Sequence, residues 1–288
     1  MRVRHAAPQA ARLWINSQLW ISSAEWPFAR SLTCVDYADC APEYLEQTRQ
    51  LGELIRGADQ SVPVSTCPEW NLGQLFRHVG RGDRWAAQIV RDKLDSYLDP
   101  RAVEGGKPPA EPDDAINWLN EGAQLLVDAV AQSGRDTTVW TFLGPRPAAW
   151  WIRRRLHENA VHRADAAIAL GADFALDPGI AADGISEWLE RVAIQAGRDG
   201  APLPLKTGDT LHLHATDPGL GEAGEWTIGV DDGAISWSHD HGKGTVALRG
   251  GATELLLAST RRAAVADTGI ELFGDDAVWQ TWLNRTPL

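Results

Sequence analysis

The sequence predicts an α plus α+β fold: a helical bundle followed by a small α+β domain. Three observations carry this expectation. Apolar residues recur at helical spacing in a series of segments up to about residue 197. Beyond "GAPLPLKTGD" (200–209) the apolar period shortens to two. Asp232-Gly233 then separates two alternating runs, a hairpin signal because both residues tolerate positive φ.

The first 34 residues are basic at the start, with scattered Trp and Leu, and lack the unbroken apolar stretch of a secretory signal. They are read as a tail outside the fold. The bundle is assigned to 35–200 and the α+β domain to 205–288. The first helix is expected over 42–59, with Leu45, Leu51, Leu54 and Ile55 on one stripe and Pro42 in its first turn. A loop with Pro63 and Pro68 follows. Asn71 with Gln74 three residues later forms a capping-box pattern, so the second helix starts there. Its stripe is Leu72, Leu75, Phe76, Val79, Ile89 and Val90. Prolines and a Gly-Gly mark 99–112 as loop. A third helix is expected over 113–132, a fourth over 147–170 and a fifth over 178–197. Alternating strands follow at 211–217, 225–230, 234–238 and 245–250, and two short helices near 251–259 and 275–284.

The chain has 288 residues and a formal net charge of -12. That balance argues against nucleic-acid phosphate or an anionic membrane as partner. No apolar window is long enough for a transmembrane helix. The cysteines, Cys34, Cys40 and Cys67, fit neither a zinc ribbon nor a disulfide framework. A reducing cytoplasm is the expected location.

The fourth helix carries "LHENAVHRAD" (156–165), which resembles a zinc-protease His-Glu-x-x-His motif with one residue too many. At ~100° per residue, His157 and His162 diverge by roughly 140° and do not share an ion. Glu158 and His162, four apart, lie on one face. His78 lies on or near the apolar stripe of the second helix. A bundle builds sites from facing helices, so His78, Glu158 and His162 could form a His₂Glu set suited to zinc with an open position. Spacing alone leaves ordinary packing open: a histidine in a hydrogen-bonded core, and a Glu/His pair on a solvated face. Asp165 is read either as the acceptor that orients His162 or as a surface aspartate. Gly80 and Gly82, costly inside a helix, suggest close backbone approach or a kink.

Other residues are given plainer readings. Cys67, before Pro68 and a helix start, is read as structural rather than nucleophilic. Trp85, Trp150 and Trp151 are read as packing anchors. His212 and His214 are read as exposed strand residues, in preference to ligand contact at the domain interface. His239 and His241 flank Asp240 in a turn, and no second metal is expected there. Of Arg153, Arg154 and Arg155, one could receive a substrate carboxylate and most are expected to be solvated.

"VPVSTCPEWNLGQLFRHVGRGDRWAA" (62–87) and "RRRLHENAVHRADAA" (153–167) resemble the two signatures of the mycothiol-dependent maleylpyruvate isomerase family, a group of DinB-like four-helix bundles. "LHLHATD…GEWTI" (211–228), with "ELLLASTRR" and "LFGDDAVWQTWL", is similar to the C-terminal domain that accompanies that bundle. The resemblance spans about 35–288. It implies that His78, Glu158 and His162 bind a divalent metal, usually zinc. It further implies that mycothiol, a low-molecular-weight thiol, is the cosubstrate and that a small-molecule electrophile is the other partner. The implied chemistry is cis–trans isomerisation or thiol S-transfer, with a metal-activated thiolate as nucleophile. Two other readings fit the same ligands: a hydrolase using metal-activated water, and a metal-binding or ligand-binding protein without turnover.

Overall fold

The computed structural model describes residues 40–286 of the chain, and the expected tail over 1–34 lies outside the described residues. Four helices pack together first: α1 (Cys40–Ile55), α2 (Leu72–Arg91), α3 (Pro112–Ser133) and α4 (Trp150–Leu170). The capping box forms as its pattern predicts. The Asn71 side chain accepts from the Gln74 backbone N–H, and the Gln74 side chain accepts from the Asn71 N–H, both at 2.9 Å. Pro112 opens α3, where a missing N–H loses no helical bond. Gly171 ends α4 at φ 63°, a left-handed cap. The expected apolar stripes meet in the interior, where Leu51, Ile55, Leu72, Leu75, Val79, Leu119 and Leu126 are buried.

Glycine sets the spacing of α2. A Cβ on Gly80 would stand 2.2 Å from the Trp118 ring on α3, and one on Gly82 would meet the Arg155 guanidinium of α4 at 2.7 Å. Close approach, and not a break in the helix, explains both residues.

A short ribbon of β1 (Thr138–Val139) and β2 (Arg146–Pro147) precedes α4, and α5 (Pro178–Gln195) follows it. The second half contains β3 (Leu211–Ala215), β4 (Glu225–Asp231), β5 (Ala234–Ser238), β6 (Val246–Gly250), α6 (Ala252–Ser259), β7 (Glu271–Gly274) and α7 (Asp276–Arg285). The sheet order is β5-β4-β3-β6-β7; only β3 and β6 are parallel. Asp232 and Gly233 join β4 to β5 at φ 45° and 75°, a two-residue turn with both centres left-handed. The edge strand β7 has no alternating signature in the sequence. It is defined by backbone pairing to β6, and its Phe273 is exposed.

Helix α5 follows the bundle in sequence but shares the core of the sheet. Its Ile185, Trp188, Leu189 and Val192 are buried with Leu211, Trp226, Leu248, Leu255 and Trp282. The Trp226 indole donates to Ser186 Oγ at 3.0 Å. Helical periodicity identifies the apolar face of α5 but carries no record of which neighbour covers it. Among the described residues, no helix is long and apolar enough to cross a membrane.

Candidate metal centre

Helix α4 places Glu158 and His162 on one face, and α2 brings His78 opposite them. His78 Nε2 lies 3.0 Å from Glu158 Oε1, and the His78 and His162 ring centroids are 5.0 Å apart. One ligand atom from each of the three residues falls within 4.8 Å of the others. His157 turns away, as helical geometry requires, and its Nε2 meets Asp183 Oδ2 at 2.7 Å. The three residues picked from spacing are therefore together and the fourth is apart.

Two of the three donors, His162 and Glu158, are held by further residues. His162 Nδ1 lies 2.8 Å from Asp165 Oδ2, and Asp165 has no exposed surface. The carboxylate keeps the ring proton on Nδ1, which leaves the lone pair on Nε2. Arg262, which follows α6 in the second domain, donates to both Asp165 oxygens at 3.0 and 3.1 Å. Burial pushes the Asp165 carboxyl up, but the His162 hydrogen bond and Arg262 overcome it and hold the group below the usual carboxylate range. Burial likewise lowers the His162 pKa and favours its neutral, ligating form.

Glu158 is braced by two arginines: Arg154 Nη2 reaches Oε2 and Arg155 Nη1 reaches Oε1, both at 2.9 Å. Burial raises the Glu158 pKa, yet Arg155 and Arg154 outweigh it and hold the carboxyl well below its ordinary value. The expectation that most of the arginine run is solvated is overturned. Arg153, Arg154 and Arg155 are only 3%, 8% and 2% exposed. Arg153 pairs with Asp183 and Glu190, Arg154 also with Glu187, and Arg155 also with Asp83. A helix packed on several sides has no solvated face to offer, so its charges need buried partners.

Cys67 lies beside the site, where its sulfur, His162 and Asp165 each offer an atom within 4.8 Å of the others. Its thiol donates to Asp165 Oδ2 at 3.4 Å, and burial together with the Asp165 charge pushes its pKa up to about 11. A protonated thiol at neutral pH is a poor nucleophile. Trp85, Trp150 and Trp151 are buried in one apolar cluster, as packing anchors should be. His212 and His214 depart from expectation: His212 is buried, and both rings turn to Glu225.

Trp70 is the neighbour that sequence reading missed. Its ring centroid lies 4.7 Å from His78 and 6.1 Å from His162. A tight turn sets it there. Trp70 N–H donates to Cys67 O at 3.0 Å, with Pro68 and Glu69 between them and Glu69 at φ 80°. Proline then a left-handed residue is the type II pattern, in which glycine is the unstrained choice at the second centre. Glu69→Gly is therefore expected to raise stability by about 0.5–1 kcal/mol without moving Trp70. Urea unfolding checks this; a loss of stability would mean that the exposed Glu69 side chain contributes more than its backbone strain removes.

Comparison with known proteins agrees with the architecture. The family model described as the mycothiol maleylpyruvate isomerase N-terminal domain matches residues 42–167, and the one described as the MDMPI C-terminal domain matches 179–281. A crystal structure of a mycothiol-dependent maleylpyruvate isomerase superposes with TM-score 0.57 at 15% identity, covering 83% of this chain and 93% of that one. The structure of a histidine-to-alanine variant of such an enzyme superposes with TM-score 0.52 at 15% identity, covering 79% and 89%. These likenesses show a shared fold. Comparison with curated protein sequences finds no match.

Proposed function

Because the chain belongs to the mycothiol maleylpyruvate isomerase family, its two domains matching those of the family in order, we propose that it is a mycothiol-dependent enzyme acting on a small electrophile at a divalent metal centre. The observation that carries this reading is the convergence of His78, Glu158 and His162 within 4.8 Å. Two imidazole nitrogens and one carboxylate oxygen are a borderline donor set that suits zinc and leaves a position open. Zinc bound there would supply the charge that lowers the pKa of a thiol at neutral pH.

The chain's own residues prepare the site. Asp165 fixes the His162 tautomer, and Arg154 and Arg155 keep Glu158 ionised. Trp70 packs at a tilt beside both imidazoles and supplies an apolar wall next to them. Isomerisation needs a thiolate that adds to a cis double bond, permits rotation and leaves again. Thiol transfer needs the same nucleophile and a leaving group on the electrophile.

The test pairs metal analysis with a thiol assay on wild type and His162→Ala. The variant is expected to lose one divalent ion per chain. Its thiol-dependent consumption of electrophile should fall further than the ~10–100-fold that loss of an outer partner costs. Equal metal content in the two proteins overturns the site. Consumption without thiol would instead assign hydrolysis by activated water, and metal without turnover would assign a binding protein.

A further inference from the structure

The sheet domain gathers a second set of ligating side chains that the bundle chemistry does not use. Alternate residues of a strand share a face, so His212 and His214 of β3 point the same way. Register sets His214 opposite Glu225 of β4, which lies on that face too. The loop after β5 then brings His241 over them. His212 Nε2 lies 2.7 Å from Glu225 Oε2, while His214 Nδ1 and His241 Nδ1 lie 2.5 and 3.0 Å from Oε1. One atom each from His212, Glu225 and His241 falls within 4.8 Å of the others. The His212 and His241 ring centroids stand 5.3 Å apart, and those of His214 and His241 6.0 Å.

The loop is built to be there. A Cβ on Gly244 would stand 2.9 Å from the His212 backbone nitrogen, so only glycine lets the chain pass so close. Thr227 Oγ1 donates to Asp240 O at 2.7 Å and fastens the loop to β4. His239 does a different job: its Nδ1 bonds the Glu225 backbone carbonyl at 2.8 Å, and its ring packs on Trp237. Glu225 and His212 are largely buried, at 14% and 6% side-chain exposure, whereas His241 is 75% exposed beside an open cleft of about 520 Å³. The interior supplies fixed donors and the cleft supplies a way in.

Glu225 offers about four acceptor sites, and three imidazoles are aimed at them. Without an ion, all three nitrogens must carry protons to bond it. Around a cation, the same atoms present three neutral nitrogens and one anionic oxygen, a set that suits zinc and its first-row neighbours. Ligand atoms around tetrahedral zinc stand about 3.3 Å apart; those of His212, Glu225 and His241 already lie within 4.8 Å of one another, and His214 reaches the same carboxylate.

We propose that His212, His214, His241 and Glu225 form a second divalent transition-metal site, closed by four protein donors and clipping β3, β4 and the loop after β5 together. It shares no residue with the bundle centre, and it stands or falls independently of the function proposed above.

The experiment uses the full chain stripped with chelator, dialysed, and titrated with Zn²⁺ by calorimetry. With the bundle donors replaced (His78→Ala, His162→Ala), about one zinc per chain is expected to remain bound. Adding His241→Ala, and separately His214→Ala, should weaken that binding at least 10-fold; His241 is exposed, so its loss leaves the fold intact by circular dichroism. If the bundle variant does not fold, His241→Ala alone must lose one zinc relative to wild type while keeping thiol-dependent turnover. A Cu²⁺-loaded sample should show imidazole nitrogen couplings by electron paramagnetic resonance that His241→Ala alters. No saturable zinc binding once the bundle donors are gone, or binding unchanged by both His241→Ala and His214→Ala, overturns the site.

Discussion

Replacing Arg155 with alanine is expected to destabilise the fold by about 3–5 kcal/mol, the range found when one partner of a buried ion pair is removed. The guanidinium donates to Asp83 Oδ1 at 2.8 Å, to the Val79 carbonyl at 3.0 Å and to Asn159 Oδ1 at 3.0 Å, and it pairs with Glu158 at 2.9 Å. Asp83 has no exposed surface, so no water replaces the lost donor. Asn159 also donates to Asp83 and to Thr48 on α1, so the damage spreads across three helices. Lysine should recover only part of the loss, because an ammonium cannot reproduce a planar fork of donors aimed at several acceptors. Urea unfolding followed by tryptophan fluorescence measures it. A loss under about 1 kcal/mol would put this pair in the class of exposed salt bridges and remove it as the tie between α2 and α4.

Asp165→Ala is expected to act on two quantities at once. It takes the acceptor from His162 Nδ1, which should weaken zinc binding at the bundle centre by roughly 10–100-fold. It also leaves Arg262, only 8% exposed, without either carboxylate contact, at a further cost to stability of about 3–5 kcal/mol. Asp165→Asn separates the two effects: an amide oxygen still accepts from His162, but the charge opposite Arg262 is gone. Zinc affinity near wild type in the asparagine variant, with stability lowered in both, is the expected pattern. Unchanged zinc affinity in Asp165→Ala would reduce Asp165 to a tie between the domains.

Local signals were legible in the sequence and long-range ones were not. The Asn71/Gln74 box and the Asp232-Gly233 turn are complete within a few residues, and both form as read. Glu158 and His162 were legible because helical spacing alone puts them together. His78 could be proposed as a partner only because facing helices commonly build such sites, and the fold brings it to them. The arginine run misled because its counter-charges lie on other helices: Asp83 on α2, and Asp183, Glu187 and Glu190 on α5. Strand alternation correctly set His212 and His214 on one face, but a period has no way to report that Glu225 and His241 arrive on the same side. Trp70 left a faint trace, since the Pro68-Glu69 step before a capping residue reads as a turn, yet nothing local indicates which rings the turn would cover. The neighbour of α5 was hidden for the same reason.

The buried arginines of α4 also bear on the order in which the protein takes shape during synthesis. Arg155 is drawn to Asp83, which has already been made when α4 appears. Arg153 must wait for Asp183, 30 residues later, while Arg154 has Glu158 on its own helix and gains Glu187 33 residues later. At translation speeds of about 5–20 residues per second, that is a delay of roughly 2–6 seconds. Throughout it, the flank of the nascent bundle that will receive α5 displays guanidinium groups bathed in water and not bare hydrocarbon. The arrival of α5 then brings the carboxylates that take these guanidinium groups out of water.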